Sequence, residues 1–116
     1  MKKILITDDD QGIQDIFKLI LEQAGYEVQV YGDASFILEN IYTCPDLFIL
    51  DKKLRGKDGL QICKFLKSQS FTKDIPVIII SATHGIEKLA KEAGADDFIE
   101  KPFEIKDLLN MVEKWI

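Results

Sequence analysis

The chain has 116 residues, 47% of them hydrophobic and 30% charged, with a formal net charge of −5. That length fits one domain able to bury a core, and the negative balance argues against non-specific nucleic-acid binding, which needs a basic footprint. No apolar run approaches the roughly 20 residues needed to span a bilayer. Cys44 and Cys63 have no metal-ligand spacing and do not suggest a disulfide-stapled fold, so both are expected as reduced thiols, Cys63 in a core position. The opening MKKILIT meets acids after only a few apolar residues, unlike a secretory leader. The expected location is cytoplasmic.

In chain order, the first apolar run is KILIT, rich in isoleucine and too short for a helix. Asp8, Asp9 and Asp10 follow it directly. Three adjacent carboxylates repel, and each resists losing water, so the end of a core strand is an unfavourable place for them. Ile13, Ile16, Phe17, Ile20, Leu21 and Ala24 then recur at helical spacing, with Gly25 where a C-terminal cap belongs. EVQVY reads as the second strand. Asp33 stands at an N-cap position before a helical set of Ala34, Ile37, Leu38 and Ile41.

DLFIL is the third strand and ends at Asp51. A weaker helical set, Leu60, Cys63 and Leu66, leads to PVIII, which ends at Ser81. Ile86, Leu89, Ala90 and Ala93 precede Gly94, another cap position. DDFIE runs into Lys101 and Pro102, and the last helix carries Ile105, Leu108, Leu109, Val112 and Trp115 or Ile116. Five repeats of strand then helix imply an α/β, doubly wound (βα)5 fold: a five-stranded parallel sheet with helices on both faces and right-handed crossovers. One domain over 1–116 is expected. In such sheets ligands bind beyond the carboxyl ends of the strands.

Those ends gather Asp8, Asp9, Asp10, Asp51, Ser81 and Lys101. Carboxylates from different strands are held together when a hard divalent cation sits between them, and Mg²⁺ takes a few carboxylates while keeping water or phosphate oxygens. Mn²⁺ suits the same oxygen donors. A carboxylate–Mg²⁺ cluster beside a lysine and a hydroxyl fits phosphoryl transfer, where the task is positioning and charge neutralisation. There is no Gly-rich phosphate loop, which argues against a nucleotide cradle. Taken singly, each feature has a plainer reading: a solvated turn with an N-cap, a turn aspartate, a capping serine, a surface lysine. Their joint occurrence at four strand ends favours a site.

The residues resemble the receiver domains of two-component response regulators over essentially the whole chain. ILITDDDQGI is similar to that family's opening strand and acidic turn, PDLFILDKKLRGKDGL to its phospho-acceptor segment, IPVIIISA to its switch strand and AGADDFIEKPF to its lysine–proline signature. The resemblance implies the flavodoxin-like strand order 2-1-3-4-5 and a role for each position. Asp51 would accept a phosphoryl group from a phosphohistidine on a sensor histidine kinase or a histidine phosphotransfer protein. Asp9 would bind Mg²⁺ directly, Asp8 would orient it or a bound water, and the backbone carbonyl of Lys53 would be a further ligand beside Asp51. Lys101 and Ser81 would contact the phosphoryl oxygens. Phe98 would be the aromatic switch residue that reshapes the face of the fourth helix, fifth strand and fifth helix, and the bond before Pro102 would be cis. A downstream protein target is implied, with no direct nucleic-acid or membrane contact, and a monomer or weak phosphorylation-dependent dimer.

Several positions depart from the family pattern. Phe98 stands where tyrosine is commoner, so coupling there relies on packing. Lys52, Lys53 and Arg55 charge a segment that usually carries less, with proline often at the position of Arg55. From Ser81 to Phe98 the chain is about two residues shorter than usual, so either the loop before the fourth helix, which contains His84, or that helix's first turn is expected to be trimmed. No output domain follows the fifth helix, which fits either a stand-alone receiver or a piece of a longer regulator.

Two other functions fit parts of the sequence. A haloacid-dehalogenase-type phosphatase would use Asp8 and Asp10 as its D-x-D, but Gly12 stands where that motif usually has Thr or Val, and the chain is short for that fold. A receiver-like binding module without phosphorylation would not need the acceptor set that is present here. A flavin phosphate would be repelled by the acidic first turn.

Overall fold

The computed structural model describes residues 1–54 and 56–116. Arg55, one of the basic residues noted above, lies outside the described residues. The elements are β1 (Lys3–Thr7), α1 (Gln11–Gln23), β2 (Glu27–Tyr31), α2 (Ser35–Leu38), β3 (Leu47–Asp51), β4 (Lys53–Leu54), β5 (Lys57–Asp58), α3 (Gly59–Ser68), β6 (Val77–Ser81), α4 (Ile86–Glu92), β7 (Asp97–Glu100) and α5 (Ile105–Trp115). The main sheet has five parallel strands in the order β2-β1-β3-β6-β7. Because β4 and β5 form a separate antiparallel pair, this is the expected 2-1-3-4-5 order.

Alternation along the strands builds two cores. Leu5, Phe48, Leu50, Val77 and Ile79 face one side and meet Ala34, Ile37, Ile62, Cys63, Leu66, Ile86 and Ala90 from α2, α3 and α4 and the turn before α2. Ile4, Ile6, Leu47, Ile49, Ile78, Ile80 and Ile99 face the other and meet Phe17 and Leu21 of α1 with Leu108 and Val112 of α5. β3 and β6 are buried along their whole length, which is why they read as continuous apolar runs. Burying side chains of this size stabilises by roughly 1.5–3 kcal/mol each before chain entropy is charged against it.

Three helical expectations are narrowed. The helix expected over 34–41 is one turn, Ser35–Leu38: Asn40 adopts φ 57° just beyond it, and Ile41 is exposed. The N-cap is Ala34, without a side-chain cap bond, and not Asp33 as expected; Asp33 stands one residue earlier and accepts from the backbone N–H and hydroxyl of Ser35. Ile16 and Ile105 belong to the helical stripes but are 56% and 55% exposed, because the stripe is wider than the strip of sheet each helix covers. Gly25 and Gly94 hold positive φ at helix ends, the conformation that glycine adopts without Cβ strain. Cys63 is fully buried, which pushes its thiol up to about 11, and Cys44 is exposed; both are free. No helix among the described residues is long and apolar enough to cross a membrane.

Candidate functional site

The three aspartates after β1 divide the work between them. Asp10 is the N-cap of α1, its carboxylate accepting from the N–H of Ile13 at 3.1 Å. Asp8 is turned into the protein, its side chain 2% exposed, and accepts from the N–H of Asp10 at 2.9 Å. Gln14, one turn into α1, donates to the backbone carbonyl of Asp8. Asp9 stays exposed. The plain capping reading of the triplet holds for one residue, leaving two carboxylates without that task.

Across the sheet, Asp51 ends β3 beside β1 and β6, its side chain 9% exposed. One of its oxygens accepts from the N–H of Lys53 at 3.2 Å, and the other from Lys101 Nζ at 3.1 Å. Lys101, just past β7, also lies 3.6 Å from Asp8. Carboxylate oxygens of Asp8, Asp9 and Asp51 all fall within 4.8 Å of one another. Lys101 thus ion-pairs with two of the three carboxylates, and Asp9 has no ion pair among the described residues. Burial is the main reason the Asp8 carboxyl is raised to about 6, with the Asp51 charge adding to it and Lys101 and the Asp10 N–H opposing. Closely spaced oxygen donors with excess negative charge are a donor set for a hard cation; the residues present fit Mg²⁺.

Ser81 closes β6 and is buried; its Oγ accepts from the N–H of Thr83 at 2.9 Å, which leaves the hydroxyl proton able to donate. The Lys101–Pro102 peptide bond is cis. Phe98 is half-buried on the face covered by α2, α3 and α4, apart from the carboxylate cluster. Asp8, Asp9, Asp51, Lys53, Ser81 and Lys101 line one cleft of about 600 Å³. His84 is exposed, 3.8 Å from Glu100.

Two contributors were not evident in the sequence. Asp58 caps α3 through the N–H of Leu60 at 2.8 Å and sits 3.9 Å from Lys52, so the segment after Asp51 is a short β4–β5 hairpin rather than a loop. Gly59 opens α3 directly against the acceptor strand: a Cβ there would lie 2.1 Å from the backbone oxygen of Asp51. A D-G pair before a helix was the available signal, but only the crossing of α3 over β3 reveals what the glycine touches.

The family model for the response regulator receiver domain matches residues 4–113. Among curated proteins, the chain is 39% identical over 97% of its length to the DNA-binding dual master transcriptional regulator RpaA of Synechocystis, covering 48% of that protein. It is 37% identical, again over 97% of its length, to the phosphate regulon transcriptional regulatory protein PhoB of Escherichia coli, covering 50% of it. The chain thus spans about half the length of these curated relatives. Among solved structures, the response regulator TrrA of Thermotoga maritima, in complex with Mg²⁺ and BeF, superposes with a TM-score of 0.88 at 29% identity, each chain covered completely. With the family model spanning residues 4–113, these relatives and the five-stranded parallel sheet, the chain belongs to the response regulator receiver domains, the phospho-acceptor switches of two-component signalling.

Proposed function

We propose that Asp51 is the phospho-acceptor, in a Mg²⁺-dependent reaction with a phosphohistidine of a partner kinase or phosphotransfer protein. The observation that carries this is the carboxylate cluster: three converging carboxylates, two of them buried, with Lys101 the one cation ion-paired to them among the described residues. Mg²⁺, held by Asp9 and Asp51 with Asp8 and the Lys53 carbonyl, would supply neutralisation of the carboxylates and of the incoming phosphoryl oxygens. A carboxylate oxygen of Asp51 forms the new O–P bond as the N–P bond of the donor breaks, the electron pair leaving with the imidazole nitrogen. Lys101 Nζ, already 3.1 Å from Asp51, passes to a phosphoryl oxygen, and the Ser81 hydroxyl donates to another. Water then hydrolyses the acyl phosphate at the same site, so the chain promotes both its phosphorylation and its dephosphorylation without a separate metabolite substrate.

The phosphoryl group adds roughly one and a half to two negative charges beside Ser81 and Lys101. That local charge is the input that biases β6, α4 and β7, with Phe98 repacking as the readout. Downstream, a protein target reads the changed face, and the net charge of −5 favours such a target over nucleic acid for this part of the chain. Intact-protein mass after incubation with acetyl phosphate tests the assignment. A gain of one phosphoryl group that needs Mg²⁺ and disappears in Asp51→Asn is expected; a gain that survives in Asp51→Asn would move the acceptor elsewhere. In Lys101→Met the initial rate of that gain is expected to fall by about 100-fold or more.

A further inference from the structure

In a chain of net charge −5, positions 52–57 hold four of its fifteen basic residues: Lys52, Lys53, Arg55 and Lys57. Lys52, Lys53 and Lys57 line the same cleft as Asp51, which Asp9 and Asp10 also line. Among the described residues, Lys52 is the one of these three with an ion pair, to Asp58 at 3.9 Å, and that carboxylate already caps α3. Lys53 and Lys57 are exposed and make no side-chain ion pair or hydrogen bond among the described residues. The hairpin that carries them is fixed at its base. Lys52 donates its N–H to Ile80 at 2.8 Å, Gly59 donates to Lys52 at 2.6 Å, and Leu54 is buried in the core.

Uncompensated cations on a pinned base beside a reaction cleft act on whatever approaches that cleft, chiefly through encounter rate and register. The phosphoryl group is common to every donor, so it does not distinguish one donor from another. The groups flanking it do. We propose that the β4–β5 hairpin is a specificity surface that selects phosphodonor proteins carrying acidic residues beside the phosphohistidine, with Lys57 and Lys53 meeting those carboxylates. Asp9 and Asp10, which also line the cleft, repel an acidic flank, so that flank is directed to the hairpin lysines. This rests on Asp51 being the acceptor.

Synthetic peptides carrying one phosphohistidine flanked by glutamates, by glutamines or by lysines are the probes, with phosphoramidate as a donor that has no flanks. Transfer to the full chain in Mg²⁺ at low ionic strength is expected to be at least about threefold faster from the glutamate-flanked peptide than from the glutamine-flanked one, a gap that narrows in high salt. Lys57→Glu combined with Lys53→Glu is expected to invert the order in favour of the lysine-flanked peptide. Equal rates from all peptides, an order unchanged by the double variant, or transfer from phosphoramidate with none from any peptide would overturn the hairpin's role while leaving Asp51 as acceptor. Failure of phosphoramidate to label Asp51 in the unaltered chain would overturn the acceptor assignment itself.

Discussion

The two ends of the parallel sheet each pair lysine with aspartate, and they balance charge differently. At the amino end, Asp96 accepts from Lys67 Nζ at 2.7 Å and from the N–H of Val77 at 2.8 Å, while Lys67 also donates to the carbonyls of Ile75 and Lys73 at 2.9 and 3.2 Å. One cation meets one anion, and the remaining donors and acceptors are used by backbone. The result is a clamp joining the last turn of α3 to the starts of β6 and β7. At the carboxyl end, Lys101 pairs with Asp8 and Asp51 while Asp9 converges on the same point, and the Asp8 and Asp51 side chains are 2% and 9% exposed where Asp96 is 30%. The more deeply buried cluster is the less balanced one. A satisfied pair stabilises the fold, whereas an unsatisfied one is poised for a cation and a phosphoryl group.

The largest effect that should sharpen this contrast comes from Gly59→Ala. Its Cβ would meet the Asp51 carbonyl at 2.1 Å, and a backbone atom cannot step aside as a flexible side chain can. Urea unfolding should show a loss on the order of 3 kcal/mol, and labelling by acetyl phosphate should fall with it, because the shift is taken up at the acceptor. Lys67→Met breaks the clamp instead. It should lower stability by about 1–2 kcal/mol, since three acceptors lose their donor at a largely buried site, yet leave phosphorylation of the folded protein at its normal rate.

The pH dependence separates the ends further. The Asp8 carboxyl is raised from 3.8 to about 6, so the folded state holds a proton that the unfolded chain has released. Stability of the metal-free protein from this group is therefore fully present below about pH 4 and is lost as pH rises through 6, by on the order of 2 kcal/mol. Mg²⁺ favours the ionised form, so its stabilising effect should be small at pH 5 and large at pH 7.5, as thermal unfolding with and without the ion will show. A Mg²⁺ effect of equal size at both pH values would break the link between Asp8 and the cation.

Much of the molecule was legible because its signals are local and repeated. Short Ile/Val runs alternating with helical stripes specify the sheet and its two covered faces, and the strand-end rule then places Asp8, Asp51, Ser81 and Lys101 along one rim. What escaped depends on contacts between distant segments. Gly59 looks like an ordinary helix start until α3 is seen to cross the Asp51 carbonyl. The β4–β5 hairpin pairs only two residues a side, too few to leave an alternating pattern. The brevity of α2 follows from the Asn40 backbone, which hydrophobic spacing does not report. Ile16 and Ile105 show the reverse limit: periodicity marks a face but not how much of it the sheet covers.

The most direct test of the central claim is urea unfolding at pH 7.5 of the unaltered chain, Asp8→Asn and Asp96→Asn, each with and without Mg²⁺. Without Mg²⁺, Asp8→Asn should be more stable than the unaltered chain by about 1 kcal/mol and Asp96→Asn less stable by a similar amount. Adding Mg²⁺ should erase the first difference and leave the second unchanged. If Asp8→Asn is instead the less stable protein without Mg²⁺, Asp8 is a structural anion like Asp96, and the carboxyl end is not held short of positive charge.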